Sequence, residues 1–506
     1  MAIEILNIPP GGVPQFDELY VISDLHLGGS PDFQIFNSGA ELARLIDFLR
    51  VRNPDRKLAL LINGDFVDFL AELPAHHFDP AGAVDKLRRI AQDPAFAPVF
   101  GALKDFAAQD NRQLVLTLGN HDLEFALPWV RANLLEILTG NNGQARGQIT
   151  LAFDGAGFRC KIGNATVLCV HGNEVDPWNL ADYERIRRLG REVIQGRPIE
   201  SWIPNAGSQL VIDIMNDLKH KFPFVDLLKP ETQAAVPILL ALAPDQHDKL
   251  RAIGSTVRRL AWDKIRSATG FLGAAEQQGD LVGRTMAATD LLSNGTPNSF
   301  GTGDLATDRQ QYAGSLLDDA EEMFNRDVSA VSLIGTDQLG SYLGLTSAIM
   351  RMFKGADTSE VLREALSDLR KDRSFDPTVE DSTFQLMDEQ VGAGIDFIVS
   401  GHTHLARAMT RKKQPGWYFN SGTWARLIKL EDRVLSNADE FKNVFNAFKQ
   451  GTMQALDAYP ELVMRRLSVV AIWADNAGTH GELRQASLLP AEPILPEAPE
   501  LRFTKV

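Results

Sequence analysis

Cysteine is almost missing: Cys160 and Cys169 are the only two in 506 residues. Two thiols cannot staple a chain of this size, so a disulfide scaffold is excluded and both read as reduced, packed residues. Counting outward from a Gly163-Asn164 hairpin turn pairs residue 160 with 167, so the two thiols do not lie opposite each other. Long apolar runs are scarce as well. The longest, AAVPILLALAP at 234–244, is too short to span a bilayer and carries prolines. The first residues, MAIEILNIPPGG, lack the basic segment and apolar stretch of a secretory signal, so the cytoplasm is the expected compartment. Positive charge is in deficit: Lys and Arg total 51 against 66 Asp and Glu, a net −15. That balance argues against tight binding to long nucleic acid, whose phosphates would need neutralising, but leaves room for a small phosphate ester at a locally positive site.

What is present is ordinary globular material. Hydrophobic residues at 44% and charged residues at 23% match soluble folded chains and allow a large core. From residue 17 to about 180, apolar β-type runs alternate with helical spacing. ELYVIS, LALLIN (58–63), QLVLTL (113–118) and TVLCV (166–170) read as buried strands; ELARLIDFLR (41–50) and PWVRANLLEIL (128–138) read as helices, Pro128 suiting a first turn. The pattern resumes near 395, where IDFIVSGHTHLARAMTR and GWYFNSGTWARLIKL suggest two more strands. It predicts a layered α/β sheet with helices covering its faces, interrupted by a large, mainly helical insertion.

The expected boundaries are a first core part at 1–190, an insertion or cap at 191–385, a second core part at 386–487 and a Pro-rich, extended tail at 488–506. Within the insertion, residues 207–219, 246–268, 309–325 and 358–370 have helical spacing, and SNGTPNSFGTGD (293–304) reads as a loop. Beyond it, SNADEFKNVFNAFKQ (436–450) carries Phe441, Phe445 and Phe448 on one stripe behind a capping residue. There is no internal repeat.

Each early strand ends in a polar cluster: SDLHLGG, NGDFVDF, LGNHDLEF and VHGNEVDPWN. Open α/β sheets bind ligands beyond the carboxyl ends of their strands, so these loops should converge. Together with GHTH they hold His26, His121, His171, His402 and His404, five of the ten histidines. In an extended strand end Asp24 and His26 lie two apart and share a face, so both reach one ion. The GHTH segment is better read as a tight loop, Gly401 supplying backbone freedom, so that its histidines address different ions. Imidazole nitrogen with carboxylate oxygen and no thiolate suits Mn, Fe or Zn. One carboxylate can bridge two ions, and the ligands suffice for a pair, a two-metal hydrolytic site.

The ordered set D-x-H, G-D-x-x-D, G-N-H-D, H-G and G-H-T-H resembles the calcineurin-like metallophosphoesterase superfamily, over residues 17–180 and 390–430, which implies a β-sandwich flanked by helices. That resemblance implies that Asp24, His26 and His404 hold a first ion, that Asp65 bridges, and that Asn120, His171 and His402 hold a second. His121 would contact the substrate phosphate and leaving oxygen without binding metal, Asp122 would orient it, and Asp68 would be a supporting acceptor. The implied function is a metal-dependent phosphoric ester hydrolase acting on a phosphodiester, phosphomonoester or diphosphate by attack of a hydroxide bridging two divalent or trivalent ions, Mn, Fe or Zn.

SDLHLGG, GDF and GHTH are also similar to the bacterial UDP-diacylglucosamine pyrophosphohydrolases, which implies a lipid-linked diphosphate as the alternative substrate; GNHD departs from them, since arginine is typical there at the place of His121. A metal-free scaffold is the non-catalytic alternative. The insertion reads as a lid over the site, an apolar substrate pocket, or an oligomer or partner surface. KHKFPF (219–224) offers a weak peripheral membrane contact.

Overall fold

The apolar runs at residues 18–22, 58–63 and 112–117 become neighbouring parallel strands because both of their faces are covered. The computed structural model describes residues 12–76, 78–176, 179, 181–197, 221–229, 238, 241–242, 357–489 and 491–506. Its strands in chain order are β1 (Gln15–Phe16), β2 (Glu18–Ile22), β3 (Leu58–Asn63), β4 (Arg112–Thr117), β5 (Ile149–Ala152), β6 (Phe158–Ile162), β7 (Ala165–Cys169), β8 (Phe397–Ser400), β9 (Arg407–Thr410), β10 (Trp417–Asn420), β11 (Arg426–Ile428), β12 (Val463–Arg465), β13 (Ser468–Asp475), β14 (Gly478–Gln485) and β15 (Arg502–Lys505). One sheet runs β15-β14-β13-β2-β3-β4-β5 and another β1-β6-β7-β8-β10-β9, with β11 and β12 paired separately.

Strand periodicity sorts the side chains into layers. Tyr20, Ile22, Leu60, Ile62 and Leu116 point to one face, where residues from the helices Gly39–Val51, Ala97–Ala107 and Pro128–Thr139 bury them. Leu19, Val21, Ala59, Leu61 and Val115 point to the other, against Cys160, Val167, Phe397, Val399 and Phe419 of the second sheet. Each such fully buried aliphatic side chain contributes roughly 1.5–3 kcal/mol, so the shared layer between the sheets clamps them together. On the far side, Phe384 and Met387 of the helix Ser382–Gln390 cover Ile398, Met409 and Tyr418. The order is helix, sheet, sheet, helix, the layered α/β arrangement expected.

The hairpin register pairs Cys160 with Val167 and Phe158 with Cys169. Both cysteines are free and buried, and burial pushes the Cys160 thiol up to about 12. The helix Ala438–Gln450 starts at Asn437, whose side chain accepts from Asp439 N (3.0 Å) and Glu440 N (3.2 Å), and it buries Phe441, Phe445 and Phe448.

Some expectations are revised. Residues 488–506 do not end as an extended tail: Leu495 is buried in the core and β15 pairs antiparallel with β14, closing one sheet edge. The second core part holds four strands between 397 and 428 rather than two, because GHTH and the Lys412–Pro415 stretch each interrupt a run. Phe222 and Phe224 of KHKFPF face inward, Phe224 stacking on Phe448 at 4.9 Å, so these rings are not offered to a membrane surface. The helices expected at 207–219, 246–268 and 309–325 and the loop at 293–304 lie outside the described residues, as does most of 191–385. The segment 358–370 begins as the helix Thr358–Ala365 and continues as a 3-10 turn, Ser367–Lys371. Among the described residues no helix is long and apolar enough to cross a membrane.

Candidate metal centre

Parallel strands deliver their carboxyl ends to one rim. The loops after β2, β3 and β4 from one sheet and after β7 and β8 from the other meet there, and main-chain bonds lock them in place. His26 N donates to Asp65 O (2.9 Å), Asp24 N to Gly64 O (3.2 Å) and Gly401 N to His171 O (2.7 Å). Asn63, the last residue of β3, ties the two sheets through Nδ2, which donates to Val170 O (2.7 Å) and Val399 O (3.3 Å).

The local backbone is not extended. Asp24, His26, Asp65, His402 and His404 all have positive φ, between 50° and 70°. Side chains other than glycine rarely adopt this region, and it concentrates where the surroundings over-determine a strained loop. Asp24 and His26 therefore share a target through two left-handed residues, not through strand alternation. Gly401 is likewise required for a different reason from the one expected: a Cβ there would press on the Asp24 carboxylate and Ser23 hydroxyl. At Gly119 a Cβ would collide with the Asp65 carboxylate. These glycines let carboxylates approach the backbone closely.

The side chains then converge. Among the described residues, three sets of donors lie close enough to hold an ion: Asp24, His26 and His404; Asp24, Asp65 and His171; and His26, Asp65 and His121. His26 Nε2 is 3.0 Å from His404 Nε2, and His404 Nε2 is 3.5 Å from Asp24 Oδ1. Two nitrogens at right angles on one ion, each about 2.1 Å from it, would be about 3.0 Å apart. His171 Nδ1 faces Asn63 O at 2.8 Å; a carbonyl only accepts, so Nδ1 carries a proton and Nε2 is the nitrogen turned toward Asp65 Oδ2 at 3.2 Å. His171 Nε2 and Asn120 Oδ1 are buried without a hydrogen-bond partner. A buried ring nitrogen and a carboxylate oxygen this close need a cation between them, a proton or a metal, and the donor set fits a metal.

The Asp65 carboxyl, although desolvated by burial, is held well below the usual range by His171, His121 and His26. Burial works against the His171 imidazolium too, but Asp65 and Asp24 carry it well above the ordinary histidine value. Burial and the neighbouring Asp65 push Asp24 upward. His404 goes the other way, well below the ordinary value, through burial, the Lys229 ammonium and His26. The centre competes for positive charge around Asp65.

Asp24, His26, Asp65, His171 and His404 are buried, while Asn120, His121 and His402 are partly exposed at the mouth. His402 is held by its amide, which donates to both Asp24 oxygens (3.1 and 3.0 Å), and its Nε2 lies 2.9 Å from Asp176 Oδ2. His121 Nδ1 lies 3.1 Å from Asp68 Oδ2. The orienting role expected of Asp122 thus falls to Asp68: the Asp122 carboxylate is committed to Gly119 N (2.7 Å) and Phe66 N (2.8 Å) and braces the loops beneath. Burial and Asp65 push Asp122 up to about 7. Sequence reasoning missed Asp176, although it lies only five residues after His171 in VHGNEVD. It also missed Lys229, in an apolar run without any signal, and Asn63, which reads simply as a strand end.

Residues 18–228 match the family model described as calcineurin-like phosphoesterase. The match stops well before GHTH, yet folding returns His404 to Asp24 and His26, and His402 to the Asp24 carboxylate. No curated protein sequence matches the chain. Members of the matched family are in general metal-dependent hydrolases, and over residues 18–228 this chain is similar to the calcineurin-like phosphoesterases.

Proposed function

We propose that the protein hydrolyses a phosphodiester, phosphomonoester or diphosphate with a pair of Mn, Fe or Zn ions. The observation that carries this reading is the position of Asp65. Its Oδ2 is 3.7 Å from His26 Nε2 and 3.2 Å from His171 Nε2, so one carboxylate stands between two groups of donors. Asp24, His26 and His404 would hold one ion, and Asn120, His171 and His402 the other, with Asp65 common to both. When bound, such a pair supplies Lewis acidity, lowering the pKa of a water and neutralising phosphoryl oxygens.

The chain's own groups do the rest. Asp68 accepts only, so the His121 proton in that bond sits on Nδ1, which leaves Nε2 as the nitrogen for proton exchange with a leaving oxygen. The Asp68 carboxyl, despite burial, is held far below its ordinary range by His121 and His26, so it stays an ionised acceptor for that bond. His121 is partly exposed, as a residue meeting substrate should be. The completeness of the donor set favours catalysis over a metal-free scaffold.

The test is hydrolysis of bis-p-nitrophenyl phosphate, p-nitrophenyl phosphate and a nucleoside-linked diphosphate by chelator-treated protein, with Mn, Fe or Zn added back. Hydrolysis of at least one substrate should appear only with metal. Turnover indifferent to chelator, or none on any substrate with any of the three ions, contradicts the reading.

A further inference from the structure

Asp176 belongs to no motif and lies in the turn that follows His171. Its Oδ2 is 2.9 Å from His402 Nε2, and a carboxylate can only accept, so the shared proton is on Nε2. The acceptor is itself fixed: Asn179 Nδ2 donates to the same oxygen (2.8 Å), and Asp176 N donates to Asn173 O (3.1 Å). The turn is anchored by Glu174, which accepts from His171 N (3.3 Å) and Gly172 N (2.6 Å). At the other end of the residue, the His402 amide is held by the Asp24 carboxylate, with φ at +70°. The His402 ring meets the His171 ring edge-on, centroids 5.4 Å apart at 64°. His402 is gripped at amide and Nε2, and Nδ1 is the nitrogen left with a lone pair.

We propose that Asp176 is a positioning residue of the centre: by accepting from Nε2 it fixes the tautomer and ring orientation in which His402 offers Nδ1 to the second ion. This rests on the two-ion reading above. Histidines that bind metal characteristically donate their other N–H to a carboxylate, and losing that partner costs about 10–100-fold in metal affinity. A surface ion pair of no consequence for the site would leave metal affinity unmoved.

The experiment is calorimetric titration of the metal-free full chain with Mn²⁺, comparing the natural protein, Asp176→Ala and Asp176→Asn. The natural protein should take two ions. Asp176→Ala should weaken one of them about 10–100-fold and leave the other unchanged. Asp176→Asn, which keeps an acceptor of the same reach, should recover most of the loss. Two unchanged affinities in Asp176→Ala overturn the role of Asp176 while leaving the two-ion reading intact; fewer than two ions in the natural protein overturn both. Should Asp176→Ala fail to fold, ¹⁵N-histidine NMR of the natural protein loaded with Zn²⁺ decides. His402 must show a proton on Nε2, and a proton on Nδ1 instead overturns the proposal.

Discussion

The two ends of the same parallel strands both bury charge, and they treat it differently. At the amino ends, Glu18 begins β2 and Arg112 begins β4. The Glu18 carboxylate receives Tyr20 OH (2.9 Å), Asn53 Nδ2 (2.6 Å), Arg52 Nε (3.3 Å) and Arg56 Nη1 (3.3 Å). Arg112 donates to the carbonyls of Leu49 (3.1 Å), Arg50 (2.9 Å), Arg56 (3.1 Å) and Arg52, satisfying the groups that close the helix Gly39–Val51. At the carboxyl ends, by contrast, His171 Nε2, Asn120 Oδ1, His26 Nδ1 and His404 Nδ1 are buried without a hydrogen-bond partner. A buried polar cluster that closes upon itself is structure; one whose lone pairs face each other is completed by a guest.

That contrast can be broken at either end. The largest effect is expected from Asp65→Asn: losing the carboxylate between both donor groups should lower metal-dependent hydrolysis by about 10⁴-fold or more, with folding retained by circular dichroism. An active Asp65→Asn enzyme would remove the distinction between the two ends. His121→Ala should lower turnover by about 10³-fold and keep the full metal content, read by elemental analysis. Because His121 also lies within reach of His26 and Asp65, loss of an ion in this variant would make it a ligand instead. At the opposite end, Glu18→Ala should cost about 3 kcal/mol of unfolding free energy by leaving arginines without their buried partner, with metal affinity unchanged. A metal defect there would couple the two ends.

The smallest effect concerns pH. Burial pushes Glu124, just below the site, from 4.5 up to about 8. Its folded-state value lies above the unfolded one, so its contribution is full below pH 4.5 and is lost as pH rises toward 8. Glu124→Gln should therefore flatten the decline in stability across that window, measured as denaturant midpoints. An identical decline in both proteins would mean that Glu124 ionises normally in the folded state.

Much of this was legible in the residues. LALLIN coincides with β3, Pro128 opens its helix, and the hairpin register around residues 160–169 follows from the turn. The convergence of the strand-end clusters was readable because parallel strands with a buried face on each side must expose their carboxyl ends together. What escaped depends on contacts between loops distant in sequence. The positive φ at Asp24, His26, Asp65, His402 and His404 is imposed by neighbours such as Gly401 and Gly119, and no local propensity announces it. The exchange of roles between Asp68, four residues after Gly64, and Asp122, one residue after His121, is decided by which backbone amides lie nearby. β15 escaped because its pairing partner, β14, supplies the edge that makes four residues a strand.

The most direct measurement is the number of Mn²⁺ or Zn²⁺ ions taken up per chain by metal-free protein, by calorimetry and elemental analysis, alongside Asp65→Asn. Two ions in the natural protein, with at least one lost in the variant, is the predicted result. No ion bound, or uptake that Asp65→Asn leaves unaltered, would contradict it.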